Sequence, residues 1–359
     1  MSSLKKWQKH FEDFGVRQEL IVVYMRYVER MLNAQLPIIF ELQHLASLLG
    51  RTRKYLSSVI NCPDAHYRIF KIPKRRGGFR TISAPYPALL ECQQWINKYI
   101  LSAIKVHPAA HGFIQDRSII TNAKEHLAKP CLLRMDLENF FTSITIRRVI
   151  SVFRQLGYPE NVSFYLARLC CSHEVLPQGA ATSPALSNII ARKLDSRLHG
   201  LAMKFDLQYT RYADDMVFSG DRIPKYFQQI VEDIAKEEEF RINHNKTLLA
   251  ADNSRRVVTG LSVSGQTLKI PKGYKRKLRQ EVHYILSFGY FSHTSKLKIR
   301  NPFYIDSVYG KLIFWQSVEP NNSYVNRALP LINELRRSAN FGGAQSGDLD
   351  KSSGRPTSR

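Results

Sequence analysis

Two adjacent carboxylates, Asp214 and Asp215, sit between apolar β-forming runs at residues 207–212 and 216–218. The pattern predicts a hairpin with acids at its tip. A third acid, Asp136, closes another short apolar run, 131–135, and is followed by Leu137-Glu138-Asn139-Phe140-Phe141. Aspartates alone in a turn are usually solvated. Three carboxylates at strand ends or turns of one sheet are different, because they offer hard oxygen ligands for two Mg²⁺ ions, which bind substrate phosphates and need no all-protein cage. The chemistry such a set performs is phosphoryl transfer.

The elements that must position these acids can be read around them. Residues 65–90 carry six basic side chains and no acid; the β-forming runs 67–72 and 79–82 flank Pro73-Lys74-Arg75-Arg76-Gly77-Gly78, which predicts a hairpin with a basic tip. Val149, Phe153 and Leu156 space as a helix ended by Gly157, and Val162, Tyr165, Leu166, Leu169 and Cys170 as a second. Both read as packing helices. Ser183-Pro184, an N-cap residue with a first-turn proline, opens one long helix with Leu186, Ile190, Leu194, Leu198 and Leu201 along a face. Gln178 and Gly179 precede it, where the backbone can approach a ligand closely. An acidic helical run, 232–239, leads into an extended segment, 240–249, that carries Lys246.

Before this core, Leu20, Val23, Tyr24, Tyr27, Val28 and Met31 recur at helical spacing, as do Leu45, Leu48, Leu49, Leu56 and Ile60, so residues 1–60 read as a helical extension. After it, residues 269–300 hold nine basic residues and one acid, interleaved with Tyr274, Tyr284, Phe288, Tyr290 and Phe291. Such a helical segment suits tracking of a duplex backbone. From Ser338 the chain is poor in large apolar groups and is expected to be disordered.

Composition narrows the partners. The net charge of +23, from 53 basic against 30 acidic residues in 359, predicts a polyanion. The chain is long enough for one enzyme unit of several subdomains but not for a sizeable second enzyme as well. Five cysteines without Cys-X-X-Cys spacing argue against a disulfide framework or zinc site; Cys170 and Cys171 read as small apolar packing residues. No apolar stretch approaches ~20 residues, and the start lacks a signal peptide, so the expectation is a cytoplasmic protein with no membrane contact.

Taken in order, Asp136 with Phe140-Phe141, the segment Leu176-Pro177-Gln178-Gly179 through Ser183-Pro184 to Asn188, and Tyr212-Ala213-Asp214-Asp215 resemble the palm motifs of reverse transcriptases. The resemblance runs from about residue 65 to about residue 320. Asn122-Ala123-Lys124-Glu125-His126 and Val258-Thr259-Gly260 further resemble patterns typical of bacterial retron reverse transcriptases. The implied fold is α+β, a right-hand polymerase with fingers, an antiparallel palm sheet backed by helices, and a helical thumb. The implied boundaries are 1–60 for the N-terminal helical extension, 61–268 for fingers and palm, 269–337 for the thumb, and 338–359 for the tail.

The resemblance also implies roles. Asp136 and Asp214 would bridge two Mg²⁺ ions with Asp215 beside one of them. Lys71, Lys74 and Arg80 would close on the incoming dNTP, Arg80 foremost because its rigid fork matches phosphate oxygens. Phe141 would exclude a 2′-hydroxyl, Gln178 would touch the nucleotide, and Lys246 would assist the leaving pyrophosphate; Phe140, beside Phe141 on what reads as an extended segment, should face the opposite way, into the core. Tyr212, Gly179 and Gly260 would contact primer and template, the strip 258–263 forming a small sheet at the primer end. Asn122, His126, Val258, Thr259 and Gly260 would recognise RNA. In retrons the enzyme copies its own structured noncoding RNA from a guanosine 2′-hydroxyl, making branched RNA-linked DNA, commonly in anti-phage defence. A separately encoded effector and host RNase H are then implied partners. The competing readings are another stand-alone bacterial reverse transcriptase, of group II intron or abortive-infection type, and a catalytically inactive RNA-binding scaffold. Against the first, too few residues follow Arg300 for a maturase domain; against the second, a scaffold has no use for a repulsive acid cluster.

Overall fold

The computed structural model describes residues 3–74, 77–251 and 254–341. In chain order these form α1 (Ser3–Asp13), α2 (Gln18–Asn33), α3 (Leu42–Leu48), α4 (Arg53–Asn61), β1 (Tyr67–Pro73), β2 (Phe79–Pro85), α5 (Pro87–Tyr99), α6 (Ile119–Lys124), β3 (Cys131–Asp136), α7 (Ile146–Gln155), α8 (Glu160–Cys170), α9 (Ser183–Ile190) and α10 (Arg192–Lys204). There follow β4 (Gln208–Tyr212), β5 (Asp215–Gly220), α11 (Phe227–Glu237), β6 (Leu248–Ala250), β7 (Val257–Val258), β8 (Leu261–Ser262), α12 (Lys272–Phe288), α13 (Tyr290–Lys296), α14 (Tyr304–Val318) and α15 (Ser323–Phe341). Two compact units result, one from residues 1–122 and 130–252, the other from 123–129 and from 253 on.

The first unit is organised by an antiparallel sheet of order β4-β5-β3-β6. Side chains alternate across a strand, and the register pairs Met135 with Met216 and Leu133 with Phe218 on one face. All four are buried in the main core. Helices close that face: Tyr209 stacks on Phe218 with ring centroids 4.8 Å apart, and Phe218 meets Phe227 of α11 at 5.1 Å. Asp136 lies opposite Asp215 on the other face of the sheet. The basic segment forms the expected hairpin, β1 paired to β2 from Tyr67↔Pro85 to Pro73↔Phe79. Arg75 and Arg76 at its tip lie outside the described residues.

Several expectations need correction. The helix expected from Ser183 onward is two helices, α9 and α10, divided at Ala191. Its N-cap position is Thr182, and the Ser183 hydroxyl instead donates to the Pro177 carbonyl at 2.7 Å. Val23 is 57% exposed, so the buried stripe of α2 runs through Ile21, Tyr27, Val28 and Met31. Residue 60 is not a break in packing: Tyr27, Met31, Leu45, Leu56 and Val59 share one core cluster with Leu133, Met135 and Phe218. The run 240–249 is not one strand, since only β6 and an isolated bridge from Ile242 to Leu137 are extended pairings.

In the second unit β7 and β8 form a two-residue hairpin whose loop is Thr259-Gly260, both at positive φ (45° and 86°). That geometry matches the twist of paired strands and favours glycine, while a β-branched Thr259 in the left-handed region is strained. Helices α12, α14 and α15 pack around Trp315, which is fully buried beneath Lys275 and Arg279. Helix α15 continues to Phe341, beyond where the tail was expected to begin. Residues 342–359 lie outside the described residues. Cys170 and Cys171 are buried and free, as packing residues would be. No helix among the described residues is long and apolar enough to cross a membrane.

Candidate active site

The acids converge because three strand ends meet. β5 begins at Asp215 directly opposite Asp136, the last residue of β3, and Tyr212 pairs with Asp215 across the β4–β5 turn. The turn itself is Ala213-Asp214, with Ala213 at φ 56°. Its position is pinned to β3 by the Leu137 N–H, which donates to the Asp214 carbonyl at 2.9 Å. Directly opposed residues of an antiparallel pair hold their Cβ atoms roughly 5 Å apart, so Asp136 and Asp215 face each other.

Their electrostatics follow from burial and like charge. Asp136 is 4% exposed. Burial, then the charge of Asp136, raises the Asp214 carboxyl above its ordinary range, against the opposing pull of Lys246 and Arg80. Burial, then the charges of Asp214 and Asp136, pushes Asp215 from 3.8 up to about 6. Such a repulsive set is short of positive charge. Among the described residues no three carboxylate, histidine or cysteine groups are gathered tightly enough to cage a metal by themselves. The donor set nevertheless fits Mg²⁺, which takes one or two carboxylates and completes its shell with water and phosphate oxygens.

Lys246 meets the acids directly. The turn carrying it is drawn to β3 by the Asn243 N–H, which donates to the Asp136 carbonyl at 2.8 Å. Its Nζ then donates to both oxygens of Asp136, at 2.8 and 2.9 Å. It is an ion-pair partner of the carboxylate, in a short 3-10 turn rather than on a strand.

These residues line a cleft of ≈ 1110 Å³ that also contains Lys74, Arg80, Phe141, Gln178, Gly179 and Tyr212. Lys71 is not in its lining; it pairs across the hairpin with Thr81. Phe141 is half-buried, with its ring centroid 6.0 Å from that of Phe113, whereas Phe140 is 4% exposed and packs on Phe240 at 5.8 Å. The two rings diverge because residues 138–143 form turns, with Asn139 at φ 50°, not because an extended chain alternates. Gly179, at φ 130°, is explained within the chain. A Cβ there would lie 2.8 Å from the Ser83 carbonyl oxygen, and Ser83 N–H donates to the Gln178 carbonyl at 2.8 Å. The glycine lets the β2 strand dock on this loop.

Of the residues expected to recognise RNA, Asn122 and His126 are both 0% exposed. Neither side-chain polar atom of Asn122 has a hydrogen-bond partner. Side chains so buried do not offer direct contact to a base, which corrects the expected mode of recognition. Val258 is likewise buried, and Thr259-Gly260 form the β7–β8 turn of the second unit.

Sequence reasoning missed the support under the turn that carries Asp214. Arg211 is fully buried on the helix-facing side of β4, where its guanidinium donates to Asp195 Oδ1 at 2.7 Å and Oδ2 at 2.6 Å. It also donates to Asn188 at 3.1 Å and to the Ala213 carbonyl at 2.9 Å. Burial alone would lower its pKa, but the charge of Asp195 raises it overall. From the other side His111 N–H donates to the Arg211 carbonyl at 2.7 Å, and Gly112 lies so close that a Cβ would be 2.6 Å from Ala213 N. The available signal was a charged residue inside an apolar β-run, which demands a buried partner.

Comparisons with known proteins agree with this geometry. Residues 72–284 match the family described as reverse transcriptase (RNA-dependent DNA polymerase). The chain is 35% identical over 260 residues to the retron Ec86 reverse transcriptase of Escherichia coli, covering 71% of this chain and 81% of that one. It is 35% identical over 253 residues to the retron Mx162 reverse transcriptase of Myxococcus xanthus, covering 61% of this chain and 52% of the relative. Among solved structures, telomerase from Candida albicans aligns at TM-score 0.43 and 11% identity, covering 76% of this chain and 63% of that one. A foamy viral protease-reverse transcriptase aligns at TM-score 0.39 and 14% identity, covering 77% and 44%. With the matched family spanning the cleft and its carboxylates, the chain belongs to the reverse transcriptases, RNA-directed DNA polymerases, and within them to the bacterial retron enzymes.

Proposed function

We propose that this enzyme copies a structured noncoding RNA encoded with it, priming from a guanosine 2′-hydroxyl within that RNA, to make branched RNA-linked single-stranded DNA. The reading rests on the retron relatives together with one observation: Asp136, Asp214 and Asp215 meet in a cleft that also holds Arg80, Lys74 and Phe141. Asp136 and Asp214 would hold two Mg²⁺ ions, with Asp215 beside one of them. When bound, these ions would supply charge to stabilise the attacking and leaving oxygens together.

The remaining roles belong to the chain. Arg80 and Lys74 orient the triphosphate and offset its charge. The Phe141 ring occupies the space a ribose 2′-hydroxyl would need. Tyr212 and the Gln178-Gly179 loop border the templating pair. Lys246 offsets Asp136 and would have to leave that carboxylate to reach a pyrophosphate. We assign defence against phage, a separately encoded effector, trimming by host RNase H and a cytoplasmic location to the same reading.

The test is to purify the full chain expressed with its native upstream region and extract the nucleic acid it carries. The expected product is RNA joined to DNA through a debranchase-sensitive bond, absent from Asp214→Asn. Linear DNA only, or RNA without DNA from the unaltered protein, would overturn the branched-priming reading.

A further inference from the structure

Far from the carboxylates in sequence, α1, α2, the start of α3 and the turn after α7 enclose a groove of ≈ 1370 Å³ in the first unit. Small-ligand sites are typically ~300–1,000 Å³, so the size suits a stretch of polymer better than a metabolite. One wall is aromatic. The Trp7 ring centroid lies 5.8 Å from Phe40 and 6.3 Å from His44, and Phe40 stacks on His44 with 13° between the planes. Tyr24 adds a ring 5.4 Å from Phe40. All four are only half-buried, which leaves ring surface accessible. Burial lowers the His44 pKa against the opposing pull of Glu41, so at neutral pH the imidazole is an uncharged flat surface.

The rim is cationic. Lys6, Arg26, Arg30 and Arg154 line it, all exposed. Lys6 and Arg26 make no ion pair among the described residues, and Arg154 reaches Glu160 only at 3.9 Å. Arg30 is fixed in place: it donates to the Gly157 carbonyl at 2.7 Å and occupies the space where a Gly157 Cβ would come within 2.7 Å of its Nε. Free cations beside accessible rings are the means by which single-stranded nucleic acids are held, phosphates on the charges and bases on the rings. Glu41 is the one acidic side chain among the described residues of the lining. A carboxylate repels a phosphate but accepts a hydrogen bond from a ribose 2′-hydroxyl, the group that separates RNA from DNA.

We infer that this groove binds an unpaired stretch of RNA at a site separate from the copying cleft. The inference rests on the reading that the enzyme acts on a structured RNA, and it adds where an unpaired part of such an RNA is held. Neither the palm motifs nor the carboxylate chemistry requires it.

The experiment uses the full-length protein and a 5-iodouridine-substituted oligouridylate of about a dozen nucleotides, comparable to the ~4–16 nucleotides that single-strand-binding folds cover. Irradiation followed by peptide mapping reports where the bases lie, and fluorescence anisotropy reports affinity. Crosslinks are expected on Trp7, Tyr24, Phe40 or His44. The exposed-charge variant Lys6→Glu with Arg26→Glu, which leaves the ring packing alone, should weaken binding about tenfold or more and remove those crosslinks. Primer extension on an ordinary annealed template should be unchanged in it. Crosslinks found only outside this groove, or unaltered affinity in the charge variant, would overturn the inference. Equal affinity for oligodeoxyuridylate would overturn the assignment to RNA. Because primer extension is read separately, its failure in the unaltered protein would sink the polymerase reading and not the groove.

Discussion

Replacing Asp215 with asparagine should make the metal-free protein more stable while stopping synthesis. The Asp215 carboxyl is pushed from 3.8 to about 6 by burial and by Asp214 and Asp136. At ~1.4 kcal/mol for each tenfold change in proton affinity, holding it ionised in the folded state costs up to about 3 kcal/mol. The sign follows from linkage. Below 3.8 the carboxyl is protonated in both the folded and unfolded chain and the charge costs nothing; as pH rises toward 6 the unfolded chain ionises first, and stability falls until the folded carboxyl ionises too. Asp215→Asn escapes this loss, so its advantage should be about 3 kcal/mol at pH 8 and about half that at pH 5. In melting temperature that is roughly 6 °C and roughly 3 °C, taking about 2 °C per kcal/mol for a unit of this size. The assay is thermal unfolding of both proteins in EDTA at the two pH values, with primer extension alongside, where a loss of at least ~10³ is expected. Added Mg²⁺ should raise the melting temperature of the unaltered protein more than that of the variant. An Asp215→Asn protein no more stable at pH 8, or equally advantaged at both pH values, would refute the electrostatic account of the site.

Asp136→Asn and Asp214→Asn should each cut primer extension by at least ~10³ with RNA binding retained in gel shifts; full extension by either would remove that residue from the metal site. Phe141→Ala should raise the ratio of ribonucleotide to deoxynucleotide incorporation in single-nucleotide assays, and an unchanged ratio would make the ring plain packing. Gly112→Ala brings a Cβ to 2.6 Å from Ala213 N and should displace the Ala213-Asp214 turn, lowering kcat about 10²-fold in steady-state extension with the fold retained by circular dichroism. Asn122→Ala with His126→Ala, at positions that are 0% exposed, should lower melting temperature and reduce branched initiation and generic extension together. Loss of initiation alone, at unchanged melting temperature, would restore direct RNA contact by these side chains.

The sequence by itself determined the family motifs and the local elements. Asp136 at the end of one apolar run and Asp214-Asp215 between two others were legible because period-2 alternation and turn chemistry act over a few residues, and the pattern placed all three acids at strand ends. The basic hairpin at 67–85 was legible for the same reason, as were the helices that bury Val149 and Leu166. Tertiary structure alone decided which long-range partners those residues took. Lys246 lies over a hundred positions from Asp136, yet a single backbone hydrogen bond from Asn243 brings its ammonium onto both carboxylate oxygens. Arg211 looks in sequence like a charge misplaced in a strand; only the packing of α9 and α10 supplies Asn188 and Asp195 to receive it and so to hold the Ala213 carbonyl. Gly179 read as room for a template, and the fold shows that its missing Cβ first makes room for Ser83 of β2. Burial likewise reversed the expectation for Asn122 and His126, since exposure depends on what the rest of the chain lays over a residue and no local spacing encodes it.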